Sequence, residues 1–134
     1  MSLFIIHSDG GARGNPGPAA IGVVLTCEGK VVATISKYIG ETTNNQAEYQ
    51  AIIAGLEKAL EYQAEVVECF LDSELVVKQL RHEYKVKNKE LATLFVKAHN
   101  LSLQFKKISF NHIPREENKA ADKLVNNALD TYIK

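Results

Sequence analysis

Residues 44–62, NNQAEYQAIIAGLEKALEY, are the stretch that decides the fold of this chain. Apolar residues recur in it at helical spacing, which predicts one long amphipathic helix. The segment that follows, residues 65–71 (EVVECFL), has strand character and ends at Asp72. A strand placed after a long helix can return parallel to an earlier strand. Residues 44–72 therefore predict a long helix followed by a strand, and this strand could be a parallel neighbour of the first one.

Three strands are predicted before this helix. Residues 3–8 form a short apolar run typical of a buried strand, and a glycine-rich turn, GGARGNPGP, follows it. Residues 20–26 and 31–38 are predicted as two more strands, joined by a hairpin turn at Glu28-Gly29-Lys30. The first three strands should therefore form an antiparallel meander.

Two helices, a strand and a last helix are predicted after residue 72. The helices cover residues 75–80 and 90–103, the strand covers 107–112, and the last helix begins at about Asn118. The order βββαβααβα predicts an α/β fold in which a five-stranded mixed sheet is flanked by helices. A chain of 134 residues has the size of one domain, so we predict a single domain over 1–134.

Composition excludes several classes of protein. Hydrophobic residues make up 46% and charged residues 24%, which is typical of a globular chain rather than a disordered one. No apolar run is long enough to span a membrane, and the start of the chain lacks the basic leader of a signal peptide. Cys27 and Cys69 are too few for a disulfide framework. We therefore expect a cytoplasmic protein without a membrane partner.

Four carboxylates lie at the ends of strands or at the inward starts of helices. Asp9 closes the first strand and Asp72 the fourth, so parallel pairing of these strands would bring them side by side. Glu48 lies on the core-facing stripe of the long helix, and Asp122 in the first turn of the last one. Acids gathered in this way repel one another unless cations neutralise them. Oxygen ligands favour Mg²⁺ or Mn²⁺, and a pair of such ions suits phosphodiester cleavage.

Each acid also has a purely structural interpretation. Asp9 precedes two glycines, as turn residues do, and Asp72 could be the N-cap of the next helix. Glu48 fits a capping box that begins at Asn45, while Asp122 suits the helix dipole. The glycine-rich segment matches neither G-x-G-x-x-G nor G-x-x-x-x-G-K-[ST], and a strand follows it. This excludes a nucleotide-binding loop of either type.

Four motifs together resemble type 1 ribonuclease H, particularly its compact archaeal and bacterial forms related to reverse-transcriptase ribonuclease H domains. In chain order they are SDGGARGNPGPAAIGVVL, TTNNQAEYQAIIAGLEKAL, FLDSELVVKQL and HIPREENKAADKLVN. The resemblance covers nearly the whole chain. It implies a ribonuclease H-like fold and endonucleolytic cleavage of the RNA strand of RNA/DNA hybrids, with 3′-hydroxyl and 5′-phosphate ends.

The resemblance also implies roles for particular residues. Two ions, Mg²⁺ or Mn²⁺, would be held by Asp9, Glu48, Asp72 and Asp122. Contacts to the RNA strand would fall on Gly10, Gly11, Asn15, Asn44, Asn45 and Gln46. Backbone groups and amides of this kind can bind a 2′-hydroxyl, which distinguishes RNA from DNA.

The sequence leaves open which of two residues, His112 or Arg115, assists turnover. His112 lies ten residues before Asp122, the spacing of a mobile catalytic histidine in many members of the family. Its segment, HIPREEN, lacks the glycine-rich loop that makes that histidine mobile. Some compact relatives use an arginine in this loop, which here would be Arg115.

The net charge of zero is an average of two unlike halves. Residues 1–72 hold four basic and nine acidic residues, whereas 73–134 hold twelve basic and seven acidic. Residues 81–107 are the most basic segment, and we expect them to bind the phosphates of a duplex. Compared with larger members of the family, the protrusion RHEYKVKNKE is short and the chain has no tryptophan, so weaker hybrid binding is expected.

The expected partner is an RNA/DNA hybrid, with double-stranded RNA left open, and the expected state is a monomer. No separate hybrid-binding domain is expected before residue 1. Two alternatives remain: a catalytically silent nucleic-acid-binding domain and a purely structural interaction domain. The intact set of four carboxylates argues against the first, and the uncompensated charge of those carboxylates argues against the second.

Overall fold

The computed structural model describes residues 2–133, which form a five-stranded mixed sheet with helices packed on it. The strands are β1 (Leu3–Ala12), β2 (Gly17–Cys27), β3 (Lys30–Thr42), β4 (Val66–Leu71) and β5 (Lys107–His112). The helices are α1 (Asn44–Glu61), α2 (Glu74–Leu80), α3 (Lys89–Ser102) and α4 (Lys119–Ile133), with a 3₁₀ turn at Arg115–Glu117 before α4. None of the helices within residues 2–133 combines the length and the apolar character needed to cross a membrane.

The sheet has the strand order β3-β2-β1-β4-β5. The strands β1, β2 and β3 pair antiparallel, whereas β4 is parallel to β1 and β5 is parallel to β4. The predicted meander and element order are confirmed, and α1 forms a crossover between the parallel strands β1 and β4. The predicted hairpin between β2 and β3 is confirmed as well, and its two turn residues Glu28 and Gly29 have positive φ of 53° and 76°.

Helix α1 makes the crossover possible because its apolar face packs on the middle of the sheet. Ile52 and Leu56 are fully buried in a cluster that includes Ile6 and Val23. Gly55 brings the helix close to the strands, since a Cβ there would lie 2.9 Å from a methyl group of Ile6. This close packing places the first turns of α1 beside the end of β1.

The glycine-rich segment is not the turn that the sequence predicts after Asp9. Strand β1 continues through Gly10 and Gly11 to Ala12, which pairs with Ala19 of β2. The reason is steric: a Cβ on Gly10 would lie only 2.2 Å from the carbonyl oxygen of Ala47 in α1. Glycine is needed here so that α1 and β1 can approach each other closely. The connection between β1 and β2 is therefore only residues 13–16, shorter than the predicted turn.

Helix α4 covers the opposite face of the sheet and also packs closely against a glycine of a strand. A Cβ on Gly22 of β2 would lie 2.2 Å from the carbonyl oxygen of Ala121. Val125 and Leu129 of α4 pack there against Ala20. Because α1 and α4 press on opposite faces near the same end of β1, their first turns flank that strand from both sides.

Candidate active site

Three acidic side chains meet where the parallel ladder between β1 and β4 ends. The last pair of that ladder is Ser8 with Leu71, and Asp9 and Asp72 are the next residues of their segments. Carboxylate oxygens of Asp9, Asp72 and Glu48 lie within 4.8 Å of one another. The predicted juxtaposition of Asp9 and Asp72 is therefore confirmed.

Glu48 reaches this point from α1 and is 6% exposed. Its Oε1 accepts a short hydrogen bond from the backbone N–H of Gly10. The N-cap of α1 is Thr43, whose Oγ1 accepts from the N–H of Gln46 at 3.2 Å. The capping-box interpretation, with Asn45 as the cap, is therefore wrong, because Glu48 lies too far along the helix to complete such a box.

The structural interpretations of Asp9 and Asp72 are also wrong. Asp9 lies inside β1, paired with Gly22, and is 8% exposed, so it is not a turn residue. The N-cap of α2 is Ser73, whose Oγ accepts from the N–H of Val76 at 3.3 Å. Asp72 is thus free of a capping role.

Asp122 lies in the first turn of α4 and lines the same cleft as the other three acids. It does not belong to the group whose oxygens lie within 4.8 Å of one another. Its Oδ2 accepts from Asn126 Nδ2 at 3.3 Å, and its Oδ1 lies 3.8 Å from Nη2 of Arg115. Its position still suits the helix dipole, so for Asp122 both interpretations stand.

Burial and electrostatic repulsion both act on Asp9 and Glu48. Burial, followed by the negative charge of Asp72, raises the pKa of Asp9 to about 7. Burial and then the charges of Asp9 and Asp72 raise the pKa of Glu48 well above its usual range, although the Gly10 N–H acts in the opposite direction. Within residues 2–133, no lysine, arginine or histidine forms an ion pair with any of the three. A set of three carboxylates, of which Asp9 and Glu48 are buried and Asp72 is half-buried, fits a divalent cation such as Mg²⁺ or Mn²⁺ when it has no cationic partner.

The acids line a cleft with a volume of about 610 Å³. Four of the six predicted RNA contacts also line it: Gly10, Gly11, Asn44 and Asn45. Asn15 and Gln46 do not. The Asn15 Oδ1 accepts from the N–H of Asn44 at 3.0 Å, and Gln46 Nε2 donates to Glu90 Oε2 at 2.7 Å. In this structure both side chains are hydrogen-bonded to other groups of the protein.

The structure separates the two residues that the sequence left open for a role in turnover. Arg115 lines the cleft, and its side chain is 80% exposed beside Asp122. His112 ends β5, where it pairs with Leu71, and it is not among the residues that line the cleft within the described part of the chain. His7 of β1 stacks on Phe70 of β4 with ring centroids 5.2 Å apart.

Two residues of this region escaped the sequence prediction. Arg13 lines the cleft and forms an ion pair with Asp130 of α4 at 2.7 Å. Asn118 is buried, and its amide donates to Asp72. A signal existed for Asn118, because it precedes Asp122 by four residues and so shares its side of a helix. An asparagine just before a helix is usually a cap, and this hid the signal.

Comparison with known proteins finds similarity to one family model and to several curated and solved proteins. Residues 7–128 match the model of a family described as "Reverse transcriptase-like". A bifunctional protein of Mycobacterium tuberculosis is 45% identical over 128 residues, which are 94% of this chain and 35% of that protein. The chain therefore spans about a third of the length of this curated relative.

Other relatives match over most of their length. Ribonuclease HI of Halobacterium salinarum is 46% identical over 125 residues, covering 92% of this chain and 63% of that protein. The crystal structure of RNase H1 from this archaeon has a TM-score of 0.94 at 43% identity, over 96% of this chain and 98% of that one. LC11-RNase H1, solved in complex with an RNA/DNA hybrid, has a TM-score of 0.92 at 47% identity, over 98% of this chain and 99% of that one.

Proposed function

The chain belongs to the compact type 1 ribonuclease H family, and from this premise we propose that it is an endonuclease that hydrolyses the RNA strand of RNA/DNA hybrids. The observation that carries the proposal is the group formed by Asp9, Glu48 and Asp72 in the cleft. A relative of 47% identity was solved with such a hybrid, which supports the choice of substrate. We also propose that residues 1–134 act as a monomeric catalytic domain in the cytoplasm, where the free thiols of Cys27 and Cys69 would stay reduced.

The cofactor in this proposal is a pair of Mg²⁺ or Mn²⁺ ions held by Asp9, Glu48, Asp72 and Asp122. When bound, two such ions lower the pKa of a water molecule and stabilise the charge on the leaving oxygen. In the reaction the water oxygen bonds to phosphorus, and the bond from phosphorus to the 3′-oxygen breaks. The water protons end on the 3′-hydroxyl and in the medium, and the other fragment keeps a 5′-phosphate.

The cleft wall also carries groups suited to choosing RNA. Asn44 and Asn45 line it beside the backbone of Gly10 and Gly11. The Asn44 Oδ1 accepts from the N–H of Ala12 at 2.8 Å, which fixes its amide and leaves its N–H groups to donate. We assign these residues to the 2′-hydroxyl groups of the RNA strand, where donors and acceptors are both useful.

A second contact to the duplex is assigned to the loop between α2 and α3 and the start of α3. Lys85, Lys87 and Lys89 lie there, and none of them forms an ion pair with a residue in the range 2–133. Lysines without a protein partner are available to phosphates. Hybrid binding should therefore weaken as salt concentration rises.

The decisive experiment compares labelled RNA/DNA, RNA/RNA and DNA/DNA duplexes, each with Mg²⁺, with Mn²⁺ and with EDTA. We expect metal-dependent cleavage of the RNA in the hybrid. Sensitivity of the products to phosphatase would identify the 5′-phosphate, and their extension by a polymerase would identify the 3′-hydroxyl. Hybrid binding without cleavage under either metal would contradict the enzyme and support the silent binding domain. Cleavage of RNA/RNA would extend the substrate range to double-stranded RNA.

A further inference from the structure

Asn118 is a buried polar side chain whose hydrogen bonds point at the candidate active site. It is 1% exposed and lies just before α4. Its Nδ2 donates to the backbone oxygen of Ser8 at 2.9 Å and to Oδ2 of Asp72 at 3.1 Å. Within residues 2–133, the Asn118 Oδ1 and the Ser8 Oγ have no hydrogen-bond partner. An orphaned buried oxygen costs stability, so packing alone does not account for an asparagine here.

The two hydrogen bonds of the Asn118 amide lie where the pairing between β1 and β4 ends. Ser8 is the last residue of β1 that pairs with β4, and Asp72 is the first residue after β4. The Asn118 amide therefore supplies a donor one step beyond the end of the ladder and ties the Asp72 carboxylate to the end of β1. This hydrogen bond is made to Oδ2 of Asp72.

The same residue is joined to the fourth acid of the cleft. The backbone N–H of Asp122 donates to the backbone oxygen of Asn118 at 3.1 Å, which is the first turn of α4. Asn118 thus contacts Asp72 through its side chain and Asp122 through its backbone. One residue sets the relation between an acid that follows β4 and an acid that lies on α4.

An amide is suited to this task in a way that other donors are not. Its NH₂ group can donate two hydrogen bonds and carries no charge. A lysine or arginine at this position would neutralise Asp72 and compete with a metal ion for it. An aspartate would set a second carboxylate against Asp72 and the Ser8 oxygen. The amide orients the carboxylate while leaving its full negative charge.

We propose that Asn118 is a positioning residue that fixes the Asp72 carboxylate, and through α4 the position of Asp122, for divalent-cation binding. This inference rests on the proposed function, because it concerns the same cleft. Asn118 itself contacts neither substrate nor cation. Groups that orient metal ligands through hydrogen bonds typically contribute about 10–100-fold to metal affinity or activity.

The test uses Asn118→Ala and Asn118→Ser, with Asn127→Ala as the matched control. Asn127 is an exposed asparagine of α4 that does not line the cleft. Two quantities are measured: the rise of the thermal midpoint as MgCl₂ or MnCl₂ is added without substrate, and kcat and KM for an RNA/DNA hybrid well below that midpoint. Both Asn118 variants should need about tenfold more metal for the same rise and lose about tenfold or more in kcat, with KM little changed.

A residue with only a structural role would behave differently. It would lower the thermal midpoint while leaving kcat and the metal dependence of the folded protein at the values of the wild type and of Asn127→Ala, and this result would overturn the inference. Asn118→Ser keeps a small donor near the Ser8 oxygen, so it serves if Asn118→Ala does not fold. A wild-type protein that neither responds to metal nor cleaves would instead overturn the proposed function, whereas a wild type that does both beside unchanged variants would overturn the positioning role alone.

Discussion

The acids of the cleft and the acids of the outer surface are the same chemical groups in opposite situations. On the surface, Glu61 lies 3.1 Å from Lys58 and Glu65 lies 3.2 Å from Lys106, and these carboxylates keep water around them. In the cleft, Asp9 and Glu48 are at least nine-tenths buried and have no cationic partner among residues 2–133. Lysines thus pair with the solvated surface acids, whereas the buried cleft acids, which repel one another, have no such partner within residues 2–133.

This difference shows which acids serve the fold and which work against it. Exposed ion pairs contribute only about 0–1 kcal/mol each, so the surface acids are nearly neutral for stability. Buried like charges cost free energy that the rest of the fold must offset. A divalent cation bound as proposed would offset this cost.

The largest effect is expected when a cleft acid loses its charge. Asp72→Asn and Asp9→Asn should each lower the cleavage rate by about 10³-fold or more, because each removes an anionic metal ligand. The same changes relieve repulsion, so the free energy of unfolding without metal should stay equal or rise by about 1 kcal/mol. Cleavage assays and urea unfolding of both variants provide the measurement. Near-normal turnover of Asp72→Asn would refute the metal-site assignment.

A second effect concerns pH. The pKa of Asp9 is raised to about 7 in the folded chain, from a usual value of 3.8, so the folded state holds its proton more tightly than the unfolded state. The stability that this proton contributes is complete below about pH 4 and is lost as pH rises towards 7, by an amount of the order of 3 kcal/mol. Urea unfolding in EDTA between pH 5 and 8 measures it.

Two controls sharpen the pH experiment. Asp9→Asn removes the titrating group, so its unfolding free energy should depend less on pH over this range. Saturating Mg²⁺ should have a similar effect, since a bound cation favours the ionised carboxylate. A wild-type protein that gains stability from pH 5 to 8 in EDTA, relative to Asp9→Asn, would show that the pKa of Asp9 is not raised.

A smaller effect is expected at the edge of the cleft. Arg115→Ala should lower kcat by about tenfold, because the guanidinium beside Asp122 would face developing negative charge on the phosphate. His112→Ala should leave kcat within about twofold, since His112 does not line the cleft. Steady-state kinetics of the two variants on one hybrid compare them directly. The reverse order of effects would assign the role in turnover to His112.

The smallest effect is expected on the surface. Glu61→Gln breaks the pair with Lys58 and should change the free energy of unfolding by less than about 0.5 kcal/mol, with unchanged cleavage. Thermal or urea unfolding of Glu61→Gln and Asp72→Asn, measured side by side, compares the loss of a surface acid with the loss of a cleft acid. A loss above about 2 kcal/mol would mean that surface pairs stabilise this fold more than exposed pairs usually do.

Much of the fold was predictable because its signals are local. The helical period of residues 44–62 and the apolar run of 3–8 each identify their element without knowledge of the rest of the chain. The segment after Asp9 was predicted wrongly for the opposite reason. Its glycines favour a turn locally, whereas the close approach of Ala47 from α1 makes them strand residues. A contact across the chain overrode a local preference.

The sequence by itself determined the order of the elements and the four acids, since periodicity and motifs are properties of neighbouring residues. Only the tertiary structure decided which acids meet within 4.8 Å, that Asn118 reaches Ser8 across 110 positions of the chain, and that Arg115 rather than His112 lines the cleft. The physical reason is that burial, Coulomb repulsion and hydrogen bonding depend on distances in space. Those distances exist only once the strands and helices have packed together.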